Sequence, residues 1–174
     1  MKHFNESWRN PTEEQQAIYK DRLNSWKREE GFVTIEKPTR IDRAHSLGYK
    51  AKQGILVVRQ RVIRGGRMRP KFKKGRRSKR RGRRKILLKN YQQVAEERVQ
   101  RQFTNMQVLN SYYLARDKEH RWYEVILVDP HHPVLKKDFA WMLSNPGRVY
   151  HGKTSAGQRS RGLHKRRGLE KGGS

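Results

Sequence analysis

Between Arg59 and Lys85 the chain reads RQRVIRGGRMRPKFKKGRRSKRRGRRK. Sixteen of these twenty-seven residues are Lys or Arg, and none is Asp or Glu. The bias extends outward, because no carboxylate occurs between Asp42 and Glu96. A like-charge run of this length repels itself and cannot build a packed core. Pro70, Gly75 and Gly82 also disfavour one continuous helix. The expectation is an extended loop that is solvated in isolation and ordered by a partner of opposite sign. A nucleic-acid backbone is the polyanion that fits best, since it offers phosphates at regular intervals along a fixed track. From this run the candidate contacts are Arg59, Arg61, Arg64, Arg67 and Arg69, then Lys71, Lys73, Lys74, Arg76 and Arg77. Lys79, Arg80, Arg81, Arg83 and Arg84 complete them.

The rest of the composition narrows the alternatives. With 43 Lys and Arg against 16 Asp and Glu in 174 residues, the net charge is +27. Hydrophobic residues make up 33%, so the core is small and part of the chain lies outside it. There is no cysteine, which removes disulfides, zinc ribbons and thiol catalysis from consideration. The first ten residues are polar and carry no apolar leader, so the reading is a protein of the cell interior. No stretch has the length of a membrane span, and the basic run lacks the apolar stripe of an interfacial helix.

Around the run, the chain alternates helical and strand periods. Thr12 followed by Gln15 is a capping-box pair, and Ile18, Tyr19, Leu23 and Trp26 recur at helical spacing. This predicts a helix from about Thr12 to Glu30, stopped at Gly31. FVTIE at 32–36 is strand-like, and Gly48 and Gly54 mark turns with Lys50 and Lys52 exposed between them. ILVVRQRVIR at 55–64 opens on a continuous apolar run, which suits an interior strand, and Gly65-Gly66 ends it. LLKNYQQVAEERVQRQF at 87–103 predicts a helix with Leu88, Tyr91, Ala95, Val99 and Phe103 on one face. Glu97 and Arg101 would pair across one turn, and Glu96-Glu97 reads as helix surface. VLNSYYLA and RWYEVILVD predict a β-hairpin turned by DKEH and ended by Asp129-Pro130. Each of its aromatic pairs, Tyr112-Tyr113 and Trp122-Tyr123, would turn one member into the core. Residues 136–143 predict a helical turn, and Asn145-Pro146-Gly147 a chain reversal. From Lys153 the chain is Gly-rich and basic, and reads as a second, mostly irregular contact tail with Lys153, Arg159, Arg161, Lys165 and Arg166.

Catalytic constellations are lacking. The seven histidines are dispersed, and the adjacent pair His131-His132 points apart at successive positions. Ser155 and Ser160 have no base implied beside them. Helix-turn-helix, zinc-finger and basic-zipper signatures are missing, as are the stacking aromatics and GXXG loop of common RNA modules. A long irregular arm suits a folded RNA, recognised by shape and backbone; an architectural DNA-binding protein is the alternative.

Several ordered stretches resemble the fifteen-e family of large-subunit ribosomal proteins, of archaeal and eukaryotic type. They are HSLGYKAKQGILVVR at 45–59, FKKGRRSKR at 72–80, VAEERVQR at 94–101, VLNSYYLARD at 108–117, YEVILVDPHHP at 123–133 and KTSAGQRSRGL at 153–163. The resemblance implies an α+β fold: a small antiparallel sheet flanked by helices, with long basic irregular extensions. It implies one ribosomal-protein domain over residues 1–174, with its core at 32–66 and 86–145. The arm is then 67–85 and the basic C-terminal tail 148–174. It also implies a structural, non-enzymatic protein with no cofactor and no small-molecule substrate. Its partners would be large-subunit ribosomal RNA and neighbouring ribosomal proteins in the cytoplasm, not a membrane. The family's RNA-facing segments fall here on Arg43–Lys52, Arg67–Arg84 and Lys153–Arg167, which adds Arg43, Lys50 and Lys52 to the contacts.

Overall fold

The computed structural model describes residues 7–8, 10–68 and 84–163. It is an α+β fold built on a four-stranded antiparallel sheet. The strands are β1 (Phe32–Ile35), β2 (Ile55–Ile63), β5 (Gln107–Arg116) and β6 (His120–Val128), in the order β1-β2-β6-β5. A separate two-stranded ladder joins β3 (Arg67–Met68) to β4 (Arg84–Lys85). The helices are α1 (Glu13–Arg28), α2 (Ile41–Ser46), α3 (Tyr91–Gln102), α4 (Lys136–Leu143) and α5 (Ser155–Ser160). The expected arm interior, 69–83, and the end of the tail, 164–174, lie outside the described residues.

The sheet is covered on both faces. Successive side chains of a strand point to opposite sides, so β6 feeds two cores at once. Trp122, Ile126 and Val128 join Trp26 of α1, Ala44 of α2 and Phe139 and Met142 of α4. Val125 and Leu127 join Val99 of α3 and Val58 of β2, while Tyr123 joins Ala95 and Val62. The expectation that one member of each aromatic pair is buried holds for Tyr112, with Tyr113 exposed. It fails for Trp122-Tyr123: both are buried, because β6 is an interior strand between two helical layers. At about 1.5–3 kcal/mol for each large apolar side chain buried, β6 contributes strongly to hydrophobic stabilisation.

Local sequence accounts for the element ends. Thr12 and Gln15 form the reciprocal capping box, and Glu13 and Glu14 lie in the first turn where the helix dipole favours negative charge. Trp26 is buried as the spacing predicts, but Ile18 is exposed. Gly48 and Gly54 take positive φ at the predicted turns. Between Pro38 and Gly48 the chain forms the short α2, which the sequence reading passed over.

Four further expectations are corrected. The helix expected over 87–103 is α3 and starts at Tyr91, where Asn90 accepts a hydrogen bond from the Gln93 amide at 2.7 Å. Leu88 lies outside it, with φ +53° and a side chain 82% exposed. Glu97 pairs not with Arg101 but with Lys89 at 2.8 Å and Gln93 at 3.2 Å. Glu96 and Glu97 are buried, not helix surface. Residues 153–163 are not an irregular tail: Thr154 caps α5, and Ala156 and Gly157 are buried.

Buried Glu96 explains the last two corrections together. It accepts hydrogen bonds from Ser111 Oγ at 2.5 Å and Thr154 Oγ1 at 2.6 Å, joining α3, β5 and the cap of α5. Burial pushes its pKa up, and the two hydroxyl donors and Arg148 oppose that rise. Asn90 reinforces the join, since its amide donates to Ser160 Oγ at 3.0 Å and its side chain to the Ala156 carbonyl at 3.1 Å. On the opposite face of the sheet, buried Glu124 accepts from the Thr39 hydroxyl at 2.5 Å and from the Tyr112 hydroxyl. Burial raises the pKa of Glu124 as well.

Candidate nucleic-acid interface

The sequence-predicted cations fall into two groups by what holds them. Arg59, on β2, lies over the Trp26 ring at 4.7 Å and bonds Glu29 at 2.7 Å. Arg61 donates to the Lys27 carbonyl at 2.7 Å, and Arg64 to the Asp117 carbonyl at 2.5 Å. These three arginines tie β2 to α1 and to the β5–β6 turn. Lys50 and Lys52 converge on the Asp138 carboxylate at 2.9 and 3.1 Å and hold its pKa below the usual carboxylate range. Lys153 donates to Asn145 Oδ1 at 2.6 Å. Arg161 reaches the His151 carbonyl at 3.5 Å.

A second group presents charge outward. Arg43 is exposed on α2, and Arg67 is exposed on β3 at the root of the arm. Arg84 is on the opposite strand of that root. Arg69, Lys71, Lys73, Lys74, Arg76, Arg77, Lys79, Arg80, Arg81, Arg83, Lys165 and Arg166 lie outside the described residues.

Beside the root lies a cleft of about 960 Å³ between the end of β2, β3 and the start of α3. Arg64, Arg67, Lys89, Arg98, Arg121 and Arg159 line it, and among the described residues no carboxylate does. Among the described residues, Lys89 alone of these six carries an ion pair, to Glu97. Arg121 lies over the Tyr91 ring at 4.8 Å, with its Nε buried and unpartnered. The Tyr91 hydroxyl bonds the Gly65 amide and carbonyl at 2.9 and 3.0 Å, which fixes the bend where β2 gives way to β3. Burial, then the neighbouring Arg67 and Arg101, pulls the Arg98 pKa down. The apolar wall consists of Val62, Ile63, Met68, Leu87 and Val94.

Lys89, Arg98 and Arg121 were not singled out from the sequence. Lys89 lies in the segment before α3, and Arg98 on α3 and Arg121 on β6 sit inside helix and strand patterns that explain them without a ligand. Arg148 was missed as well. It is a structural cation, donating to the carbonyls of Val108 and Leu109 at 3.1 and 2.9 Å and lying over Trp141 at 4.8 Å.

The chain matches the family described as Ribosomal L15, of the L15e type, over residues 1–174. It is 47% identical over 168 residues to the "Large ribosomal subunit protein eL15" of Methanocorpusculum labreanum, covering 94% of this chain and 87% of that protein. It is 44% identical over 176 residues to the protein of the same name from Methanocella arvoryzae, covering 97% and 90% respectively.

Proposed function

The chain belongs to the ribosomal L15e family, a structural and non-enzymatic one, and from that premise we propose that it is a constituent of the large ribosomal subunit that stabilises folded ribosomal RNA. The observation that carries this reading is the match to the family along the whole chain. The +27 charge and the two-stranded ladder that brings the two ends of the basic run together support it. The folded body holds the ends of the arm, and the arm enters between RNA helices that would otherwise repel. Arg67–Arg84 supplies most of the phosphate contacts, with Arg43, Lys50 and Lys52 on one side and Lys153, Arg159 and Arg161 on another. Lys165 and Arg166 extend the last of these. Arg59, Arg61 and Arg64 serve the same surface indirectly, by fixing the strand from which the arm departs.

Each phosphate neutralised releases counterions, with a slope of about −0.7 to −0.9 in log affinity against log salt per contact. The protein is cytoplasmic in this reading, with neighbouring large-subunit proteins as its other partners. The test is sedimentation of tagged protein on a sucrose gradient, followed by cross-link mapping of its nucleic acid. Co-sedimentation with large subunits and cross-links to their RNA are expected. Protein free of ribosomal particles after gentle lysis, or cross-links mainly to duplex DNA, overturns the reading.

A further inference from the structure

The cleft at the root of the arm combines two surfaces that a phosphate track alone does not need. One is cationic: Arg67, Arg98 and Arg121 line it without a carboxylate partner among the described residues. The other is apolar and open to solvent: Ile63 is 66% exposed and Met68 79%, with Leu87 beside them. Exposed apolar side chains clustered at one edge of a cationic cleft form a surface that an apolar group can cover. Set among cations, that cover must also carry negative charge.

A duplex backbone meets the second requirement and not the first, since it presents phosphate and sugar with its bases stacked inside. A nucleotide pulled out of its stack meets both. The cleft's volume of about 960 Å³ is at the upper end of the roughly 300–1,000 Å³ typical of sites that enclose small organic ligands. That leaves room for one base, its ribose and the flanking phosphates. Arg121 lies over the Tyr91 ring at 4.8 Å and lines the cleft with no carboxylate partner among the described residues, so its positive charge is not neutralised there.

We propose that this cleft seats one nucleotide of RNA turned out of its helix, the base against Ile63, Met68 and Leu87 and the adjoining phosphates on Arg67, Arg98 and Arg121. The proposal rests on the RNA-binding reading above and adds to it a discrete subsite that distinguishes RNA with an unpaired nucleotide from continuous duplex. The recognition is tolerant of base identity, because every base has an apolar face.

The full chain is titrated, by fluorescence anisotropy at 0.15 M salt, against two end-labelled RNA hairpins that differ only in a single bulged nucleotide. Both are also titrated against the double variant Ile63→Thr, Met68→Ser. These substitutions change no charge and touch exposed side chains, and the variant's unfolding midpoint is measured alongside. The proposal expects the wild-type chain to bind the bulged hairpin about tenfold tighter than the paired one. It expects the variant to lose that preference while retaining its affinity for the paired hairpin. Equal binding of the two hairpins by the wild-type chain overturns the subsite and leaves the ribosomal reading standing. So does a preference that the variant keeps. Should the variant fold poorly, the wild-type comparison decides alone. Failure to bind either hairpin removes the RNA-binding premise itself, and the subsite with it.

Discussion

Replacing Gly157 by Ala tests whether α5 is docked on the body as described. A Cβ built at Gly157 lies 2.6 Å from Gly152 Cα, 2.8 Å from its carbonyl carbon and 3.0 Å from its oxygen. All three are backbone atoms, so no side-chain tip can swing aside. Gly152 itself sits at φ +63°, in the left-handed region that glycine adopts without strain. Overpacking of this kind costs about 1–3 kcal/mol, and a clash against backbone falls at the upper end. Against it stands a gain of up to about 1 kcal/mol, because Ala is the better residue inside a helix. The net expectation is a loss of about 2 kcal/mol, by subtraction of the second figure from the first. For a chain of this size that is a drop of roughly 4–8 °C in unfolding midpoint. Urea and thermal unfolding of the full chain measure it, with Gly66→Ala as control, since a Cβ there meets nothing within 4 Å. A Gly157→Ala variant within 0.5 kcal/mol of the wild-type chain, about the scatter of neutral surface changes, refutes the close approach of α5 to the loop before it.

Glu96→Gln tests the buried carboxylate through pH. Burial raises the folded-state pKa of Glu96, so the folded form holds its proton more tightly than the unfolded chain does. Wild-type stability therefore falls as pH rises from the ordinary Glu value through the raised one, and then levels. The variant lacks that component, so its stability relative to wild type improves over the same window; parallel urea midpoints across the range refute the assignment. Tyr112→Phe removes a donor from buried Glu124 and is expected to cost about 1–3 kcal/mol in urea unfolding. A change below about 0.5 kcal/mol would mean that Thr39 alone satisfies that carboxylate. Lys50→Gln with Lys52→Gln removes two of the proposed phosphate contacts. The slope of log affinity against log salt for ribosomal RNA is expected to become shallower by about 1.4 to 1.8, and an unchanged slope removes both lysines from the contact set.

What the sequence disclosed followed from range. The capping box at Thr12 and Gln15, the hairpin of β5 and β6 and the interior character of β2 all rest on patterns within a few residues. Glu96 defeats that kind of reading. A charged residue beside Glu97 and Arg98 looks like helix surface, and its donors lie 15 and 58 residues away, in a strand and in a segment with almost no apolar content. Helix α5 was missed for a related reason. It packs through Ala156 and Gly157, so closeness of backbones, rather than an apolar stripe, fixes it in place. Leu88 shows the opposite error: its spacing to Tyr91 fits a helix, but Asn90 begins the helix after it. The cleft was illegible because its arginines become neighbours only when β2, α3 and β6 come together.

The two-residue ladder between Arg67–Met68 and Arg84–Lys85 has a thermodynamic consequence for the fifteen residues it brackets. Bringing the ends of a segment that long together costs about 2.4 kcal/mol in chain entropy, from (3/2)RT ln n, beyond a constant term. Here that cost is met once, when the body folds, before any polyanion arrives. A ligand that contacts residues on both sides of the ladder then has no closure cost of its own to meet.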